Sequence, residues 1–260
     1  MIHPTAIIDP EASLGEGVLV GPYSVIGPHV TVGDGCVIGG HAMIESHARI
    51  GSNTRIHSFA SVGSPPQDLK FQGEDSWVEI GEGCTIREYV TVNRGTSKGG
   101  GMTRVGKGVL LMAYCHVAHD CRLGDRVIMA NAATLAGHVE VGTGAIIGGL
   151  VGVHQFVRIG AYSIVGALSG VPLDIPPYVT AMVSRGSKGT GLFGLNLIGL
   201  KRQRFPAKTI AELKKAYRIL FRSGLPLREA TAKVEAECSP LPETKHLVEF
   251  LRSSKRGIQR

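Results

Sequence analysis

Along the first part of the chain an aliphatic residue returns every six positions: Ile8, Leu14, Val20, Ile26, Val32, Ile38, Ile44, Ile50, Ile56 and Val62. Gly usually follows it, and four places on stands a small or β-branched residue, as at Ala12, Ser24, Cys36, Ala42, Ala48, Thr54 and Ala60. After a gap the register resumes at Ile80, Ile86 and Val92. It breaks once more, then runs from Val105 through Leu111, Val117, Leu123, Met129, Leu135, Val141, Ile147, Val153, Ile159 and Val165 to Val171. A period of six is neither the 3.6 of an amphipathic helix nor the 2 of a half-buried strand. It suits short flat strands joined by tight corners, three of them closing one triangular coil. The aliphatic side chain fills the prism, the small residue packs beside it, and Gly is expected to relieve strain at the corner. A parallel β-helix is therefore predicted from about residue 5 to about residue 178, its coils stacked at about 4.8 Å.

Residues 63–74 and 97–102 leave the register and are expected to form external loops, near 64–79 and 97–104. The repeat stops after Pro176 and Pro177. From about Pro206 the apolar positions Ile210, Leu213, Ala216, Tyr217, Leu220 and Phe221 fall at helical spacing, and further helices are expected over 226–238 and 242–255. The expected division is a β-helix over 1–190 and a C-terminal α-helical domain over 191–260.

Charge follows the same division. Residues 201–260 hold 15 Lys and Arg against 6 Asp and Glu, while the first 200 residues hold 13 against 15. The basic end suits an acidic partner or phosphates, or is simply a solvated helix face. Hydrophobic residues at 43% exclude a disordered chain, and no apolar run reaches the roughly 18–20 residues that span a bilayer. The start, Met1 to Thr5, lacks the basic-then-apolar pattern of a secretory leader, so a cytoplasmic protein is expected. Five cysteines without paired spacing agree with a reducing compartment. Cys36, Cys84, Cys115 and Cys121 share one repeat slot, which makes them small buried hydrophobes rather than nucleophiles.

The densest polar cluster is His116, Val117, Ala118, His119, Asp120, Cys121. Three rungs make 18 residues, so positions 119, 137 and 155 stack on successive coils, as do 120 and 138. His119 then neighbours Gly137, Gly137 neighbours Gln155, and Asp120 neighbours His138. A titratable ring beside a glycine that can bare its N–H is a candidate reactive patch. Zinc is the rival reading, because histidines on neighbouring coils can bind it, as in hexapeptide-fold carbonic anhydrases. Asp120 and Gln155 suit hydrogen-bonding roles instead, and no Cys is placed outward. No metal and no cofactor are expected. The other histidines, His3, His29, His41, His47, His57 and His246, read as surface residues.

Five strings occur in order: Gln67-Asp68-Leu69-Lys70-Phe71, His116-Val117-Ala118-His119-Asp120-Cys121, Leu135-Ala136-Gly137-His138-Val139, Val153-His154-Gln155-Phe156 and Gly199-Leu200-Lys201-Arg202. Together they resemble the UDP-N-acetylglucosamine O-acyltransferases of lipid A biosynthesis, over essentially the whole chain. The resemblance implies a left-handed coil, a departure from the right-handed crossover rule. It implies transfer of an (R)-3-hydroxyacyl chain from acyl carrier protein to the sugar 3-hydroxyl, with His119 as general base, Asp120 as its orienting partner and the Gly137 N–H on the oxyanion. Asp68, Lys70, His116, His138, His154, Gln155, Asn196 and Arg202 are implied to bind UDP-N-acetylglucosamine, and Ile164 and Ala167 to measure the acyl chain. A homotrimer is implied, with neither nucleic acid nor a membrane span among its partners. Three departures stand out: a longer connection over 182–195, Ile198 where an acidic residue is usual, and Gln203 in place of a second Arg. Three other readings remain: a hexapeptide acyltransferase acting on a 3-amino sugar nucleotide, one using acyl-CoA, and a non-enzymatic scaffold.

Overall fold

Once each corner has taken its share, a six-residue period leaves two or three residues for a strand. The computed structural model, which describes residues 1–183 and 189–260, is built from such strands. Among the described residues they form three sheets of nine, eight and ten strands. Up to Val171 each strand pairs with the third one along the chain, in parallel: Ile7–Ile8 with Val25–Ile26, Ser13–Leu14 with Val30–Val32, Leu19–Val20 with Val37–Ile38. Consecutive strands thus lie on consecutive faces of a triangular, left-handed prism. The faces are numbered here by the order in which the chain first meets them.

The repeating aliphatic residues fill the prism; Ile26, Ile44, Ile86, Leu111, Leu135 and Ile147 are completely buried. Each such side chain contributes about 1.5–3 kcal/mol. The small slot beside them has a second use. Ser24 Oγ donates to Gly39 O at 2.7 Å, Thr54 Oγ1 to Gly81 O at 3.0 Å and Cys121 Sγ to Ala136 O at 3.2 Å, so the slot residue ties its corner to the next coil. All five cysteines are free and buried, and burial pushes the Cys115 thiol up to about 11 and that of Cys121 to about 12. The four in the repeat are inert, as their slot implied.

The glycines act differently from expectation. The left-handed corner position is mostly held by other residues, among them Tyr23, His29, Asn53, Asp120, His138 and Phe156, with φ between 57° and 64°. The Gly after the aliphatic residue is instead a matter of space. A Cβ on Gly81 would sit 2.6 Å from the Gly106 carbonyl carbon, and one on Gly27 would fall on the Glu45 carbonyl oxygen. Stacked coils approach too closely there for any side chain.

Both loops leave the prism at one corner, between the first and second faces, at residues 65–76 and 94–101. The second contains a 3-10 turn, Ser97–Gly99. Pro177 ends the repeat but not the wall. Val179–Val183 still pairs in parallel with Ile164–Val165, and Thr190–Leu195 returns antiparallel to it. The expected boundary at 190 therefore falls at the start of a paired strand, and the change to helix comes at Asn196. Four helices follow: α1 (Leu197–Arg202), α2 (Ala207–Arg222), α3 (Leu227–Glu237) and α4 (Pro242–Arg252). Leu213, Ala216, Leu220, Ala230, Val234, Leu247 and Leu251 make their own core. The end is pinned to the second face by Arg158, which pairs with Asp174 (Nε–Oδ2 3.2 Å), donates to Phe250 O and stacks on the Phe250 ring. No described helix is long and apolar enough to cross a membrane.

Candidate active site

Neighbouring residues on a straight strand point to opposite sides. His119 and Asp120 escape this because Asp120 sits at the corner with φ 60°, which turns its carboxylate back to the imidazole. His119 Nδ1 donates to Asp120 Oδ2 at 2.8 Å. The carboxylate is itself clamped from the second loop: Thr96 N donates to Oδ1 at 2.9 Å and Thr96 Oγ1 to Oδ2 at 2.7 Å. Burial pushes the Asp120 carboxyl up, but the bonds from His119 and Thr96 outweigh it and leave the group below the usual range. A Cβ on Gly99 would fall on this carboxyl group, so the loop can close over it only as glycine. With Nδ1–H committed to Asp120, Nε2 is the free basic nitrogen of His119.

The 18-residue stacking is the one expected. His116 pairs with Thr134, and Thr134 with Gly152, which sets 119 on 137 and 137 on 155. A Cβ on Gly137 would lie 2.6 Å from His119 Cε1, so the ring lies where only glycine leaves room. The Gly137 amide has no acceptor among the described residues. His138 meets His119 edge-on at 5.1 Å, stacks on Phe156 at 4.5 Å and brings Nε2 to 3.7 Å from Asp120 Oδ2. His116 Nδ1 lies 2.7 Å from Thr91 Oγ1. Burial lowers the pKa of both His116 and His138, which favours their neutral forms.

Over this corner the two loops enclose a cavity of about 1260 Å³ that reaches Asp68, Lys70, His119, His138 and Gln155. The first loop is shaped by Asp68, whose Oδ1 accepts Lys70 N–H at 3.0 Å and whose carbonyl accepts Phe71 N–H at 2.9 Å. Two contacts fasten it on the side of the second loop. The Phe71 ring lies over the Arg94 guanidinium at 5.4 Å, and Glu74 accepts from Ser97 of the second loop. Thr96, Arg94 and Phe71 went unread as site residues, since nothing periodic marks them. The available signal was that both insertions interrupt the same corner as His119.

The model for UDP N-acetylglucosamine O-acyltransferase, domain 2, matches residues 174–259, and that for bacterial transferase hexapeptide (six repeats) matches 11–46 and 102–137. An acyl-(acyl-carrier-protein)–UDP-N-acetylglucosamine O-acyltransferase of Thermodesulfovibrio yellowstonii is 51% identical, covering 100% of this chain and 99% of its own. The chain belongs to the UDP-N-acetylglucosamine O-acyltransferase family. It is an enzyme. Two solved UDP-N-acetylglucosamine acyltransferases have the same fold from end to end. That of Francisella novicida is 35% identical with TM-score 0.96, covering 100% of this chain and 94% of its own. That of Campylobacter jejuni is 39% identical with TM-score 0.93, covering 100% and 99%.

Not every residue that the family resemblance singled out joins the histidine corner. His154 stands at its rim, with Nδ1 3.0 Å from Arg256 Nη2 of the C-terminal segment. Asn196 caps α1: its Oδ1 accepts Gly199 N–H at 2.9 Å and its Nδ2 donates to Tyr162 O at 2.8 Å. Arg202 is exposed in the last turn of α1. These two sit by the corner between second and third faces, and neither lines the cavity. Ile164 faces outward on the third face, and Ala167 lies at the corner between third and first. Residues 184–188 of the longer connection lie outside the described residues. His246, read as a surface residue, is half-buried with Nδ1 2.9 Å from Tyr178 Oη.

His119, Asp120 and His138 are also the one group among the described residues whose ligand atoms come within 4.8 Å of one another. An ion there would compete with the donors from Thr96 and His119 that already occupy both Asp120 oxygens. This donor set suits a base held in one tautomer better than a metal ligand.

Proposed function

We propose that this enzyme transfers an (R)-3-hydroxyacyl group from acyl carrier protein to the 3-hydroxyl of UDP-N-acetylglucosamine, the first step of lipid A biosynthesis, as a cytoplasmic homotrimer. The observation that carries the reading is the His119 ring, locked through Nδ1 on a buried carboxylate and lying in a cavity beside Lys70. His119 Nε2 takes the hydroxyl proton as the sugar oxygen attacks the thioester carbonyl. The Gly137 N–H donates to the oxyanion so formed. The C–S bond then breaks, and the imidazolium returns the proton to the leaving thiolate. Asp120 holds the tautomer and balances the charge on the ring. Asp68 and Lys70 hold the sugar and a phosphate, His116, His138, His154 and Gln155 line the sugar diphosphate, and Asn196 and Arg202 reach the nucleotide. The acyl chain runs toward Ile164 and Ala167.

Surface character supports the trimer. The second face is charged on the outside, with Arg49, Glu79, Arg104, Arg122 and Glu140 in a row. The corner between third and first faces instead exposes a stack of Tyr23, His41, Phe59, Tyr89 and Tyr114, each ring 5.0–5.1 Å from the next. Leu150 and Leu168 prolong it, 62% and 71% exposed. An apolar ladder of this length is a surface to be covered.

The test is an assay of purified protein with 3-hydroxyacyl carrier proteins of several chain lengths, offering UDP-N-acetylglucosamine and its 3-amino analogue as acceptors. His119→Ala should lower kcat at least about 10²-fold with folding and assembly unchanged, and a strong chelator should leave the wild-type rate as it is. Near-normal turnover of His119→Ala, or a chelator-induced loss that zinc restores, would end this mechanism.

A further inference from the structure

The two loops are joined at Arg94, the root of the second loop, outside the cavity. Main chain and neighbours tie the ends of the first loop there: Arg94 N–H donates to Ser64 O, Asn93 Nδ2 to Pro65 O and Gly95 N–H to Trp77 O, each at 3.0 Å. The guanidinium then reaches across that loop. Its Nη1 donates to Ser46 Oγ at 2.6 Å and to His47 Nδ1 at 3.3 Å, while its Cζ lies 5.4 Å from the centre of the Phe71 ring. The first loop is thus gripped between the coil before it and the coil after it. Arginine can only donate, so His47, which read as a surface residue, serves here as a neutral acceptor. No carboxylate pairs with Arg94 among the described residues. On the same corner Glu45 Oε1 accepts from Ser64 and Asp75 Oδ1 from Trp77 Nε1. No described residue accepts from the buried Nε–H of Arg94. Neither an unmatched charge nor an idle buried donor adds stability. The group is placed for what it holds.

We infer that Arg94 is a positioning residue for the nucleotide sugar: through the Phe71 ring it holds Asp68 and Lys70 at the cavity, an inference that rests on the roles proposed above for those two. Phe71 N–H closes a turn on Asp68 O, and Lys70 N–H closes it on Asp68 Oδ1, so ring and polar side chains move together. The turn has little else to lean on. Gln67, Leu69, Lys70, Gln72 and Gly73 are exposed, and the Glu74 bonds to Ser97 are made at the surface, at 3.3 and 3.4 Å. A Lys70 already in place loses less freedom when it meets a phosphate than one on a loose loop. Arg94 bonds neither His119 nor Asp120, so its effect belongs to binding and not to proton transfer.

The test compares Arg94→Met, Phe71→Leu and Phe71→Tyr in the whole enzyme by hydrogen exchange and by kinetics. Exchange of the Lys70 and Phe71 amides should quicken at least about threefold in Arg94→Met and in Phe71→Leu. KM for UDP-N-acetylglucosamine should rise by at least a similar factor, while KM for the acyl carrier protein stays at the wild-type value. In Phe71→Leu, which leaves the second loop untouched, kcat should also be kept. Phe71→Tyr retains the ring face and should match wild type. The double variant Arg94→Met with Phe71→Leu should be no worse than Arg94→Met alone. Multiplying effects would mean that Arg94 does not act through the ring, and overturn the proposal. Unchanged exchange in Phe71→Leu overturns it, as does faster exchange with an unchanged KM. A fall in the kcat of Phe71→Leu that matches the change in KM would mark a general loss of structure, and also overturns it. Faster exchange in both variants of a protein that acylates no UDP-N-acetylglucosamine would uphold the anchor and count against the proposed reaction alone.

Discussion

The tautomer of His119, the base proposed above, is set by Asp120, which a residue on a loop clamps in place. Thr96 puts two donors on the Asp120 carboxylate, and the carboxylate in turn holds Nδ1–H of the imidazole. Thr96→Val keeps the shape and the backbone donor but removes the hydroxyl, a bond to a charged group worth about 1.5–3 kcal/mol. The loss should depend on pH. Asp120 has its folded pKa depressed, so the stability it contributes is fully present above the ordinary aspartate value of about 3.9 and disappears as pH falls through the folded value. Thermal melts of wild type and Thr96→Val should therefore differ most near neutrality and converge in acid. A gap that stayed constant below pH 3 would mean that the hydroxyl acts by packing and not through the charge. The sequence marked His119 and Asp120 through their slot and their stacking. It could not mark Thr96, whose contact depends on how an irregular loop folds back.

At the scale of the strand and corner, the period of six was legible because every coil repeats one packing problem. The aliphatic position and the small slot stand where they were placed, and α2, α3 and α4 lie on their helical stretches. The role of glycine was not legible, because a Gly that gives room and a Gly that gives a positive φ look alike in a sequence. Gly81 and Gly83 separate the two cases. Gly81 has the Gly106 carbonyl carbon 2.6 Å from its missing Cβ, whereas Gly83 has φ 68° and nothing within 4 Å. Asn53 holds the same corner on the coil above Gly83, with φ 58°. Gly83→Asn should thus be tolerated within about 1 kcal/mol, since Asn visits this region readily. Gly81→Ala should cost about 1–3 kcal/mol or more, since backbone must move. Denaturant melts of the two variants would check this; equal midpoints would refute the division. The hairpin of Val179–Val183 with Thr190–Leu195 was missed for a related reason. Pro176 and Pro177 end the register, yet a wall can continue without it.

For the whole molecule, the separation of Asn196 and Arg202 from the histidine corner becomes an argument about assembly. Within one chain they lie at the corner between second and third faces, while His119 lies between first and second. Three copies meeting at the aromatic ladder would set the first face of one against the third face of the next. The histidine corner of each copy would then approach the α1 corner of its neighbour. In that arrangement no subunit owns a site. Inactive His119→Ala trimers and impaired Arg202→Ala trimers, unfolded together and refolded as a mixture, should regain activity, since about a quarter of randomly assorted interfaces would be wild type on both sides. If both residues served a site within one chain, mixing would restore nothing, because every chain would carry one defect. Light scattering on the same mixture confirms assembly, and an Arg202→Ala protein that is fully active alone would remove Arg202 from the site.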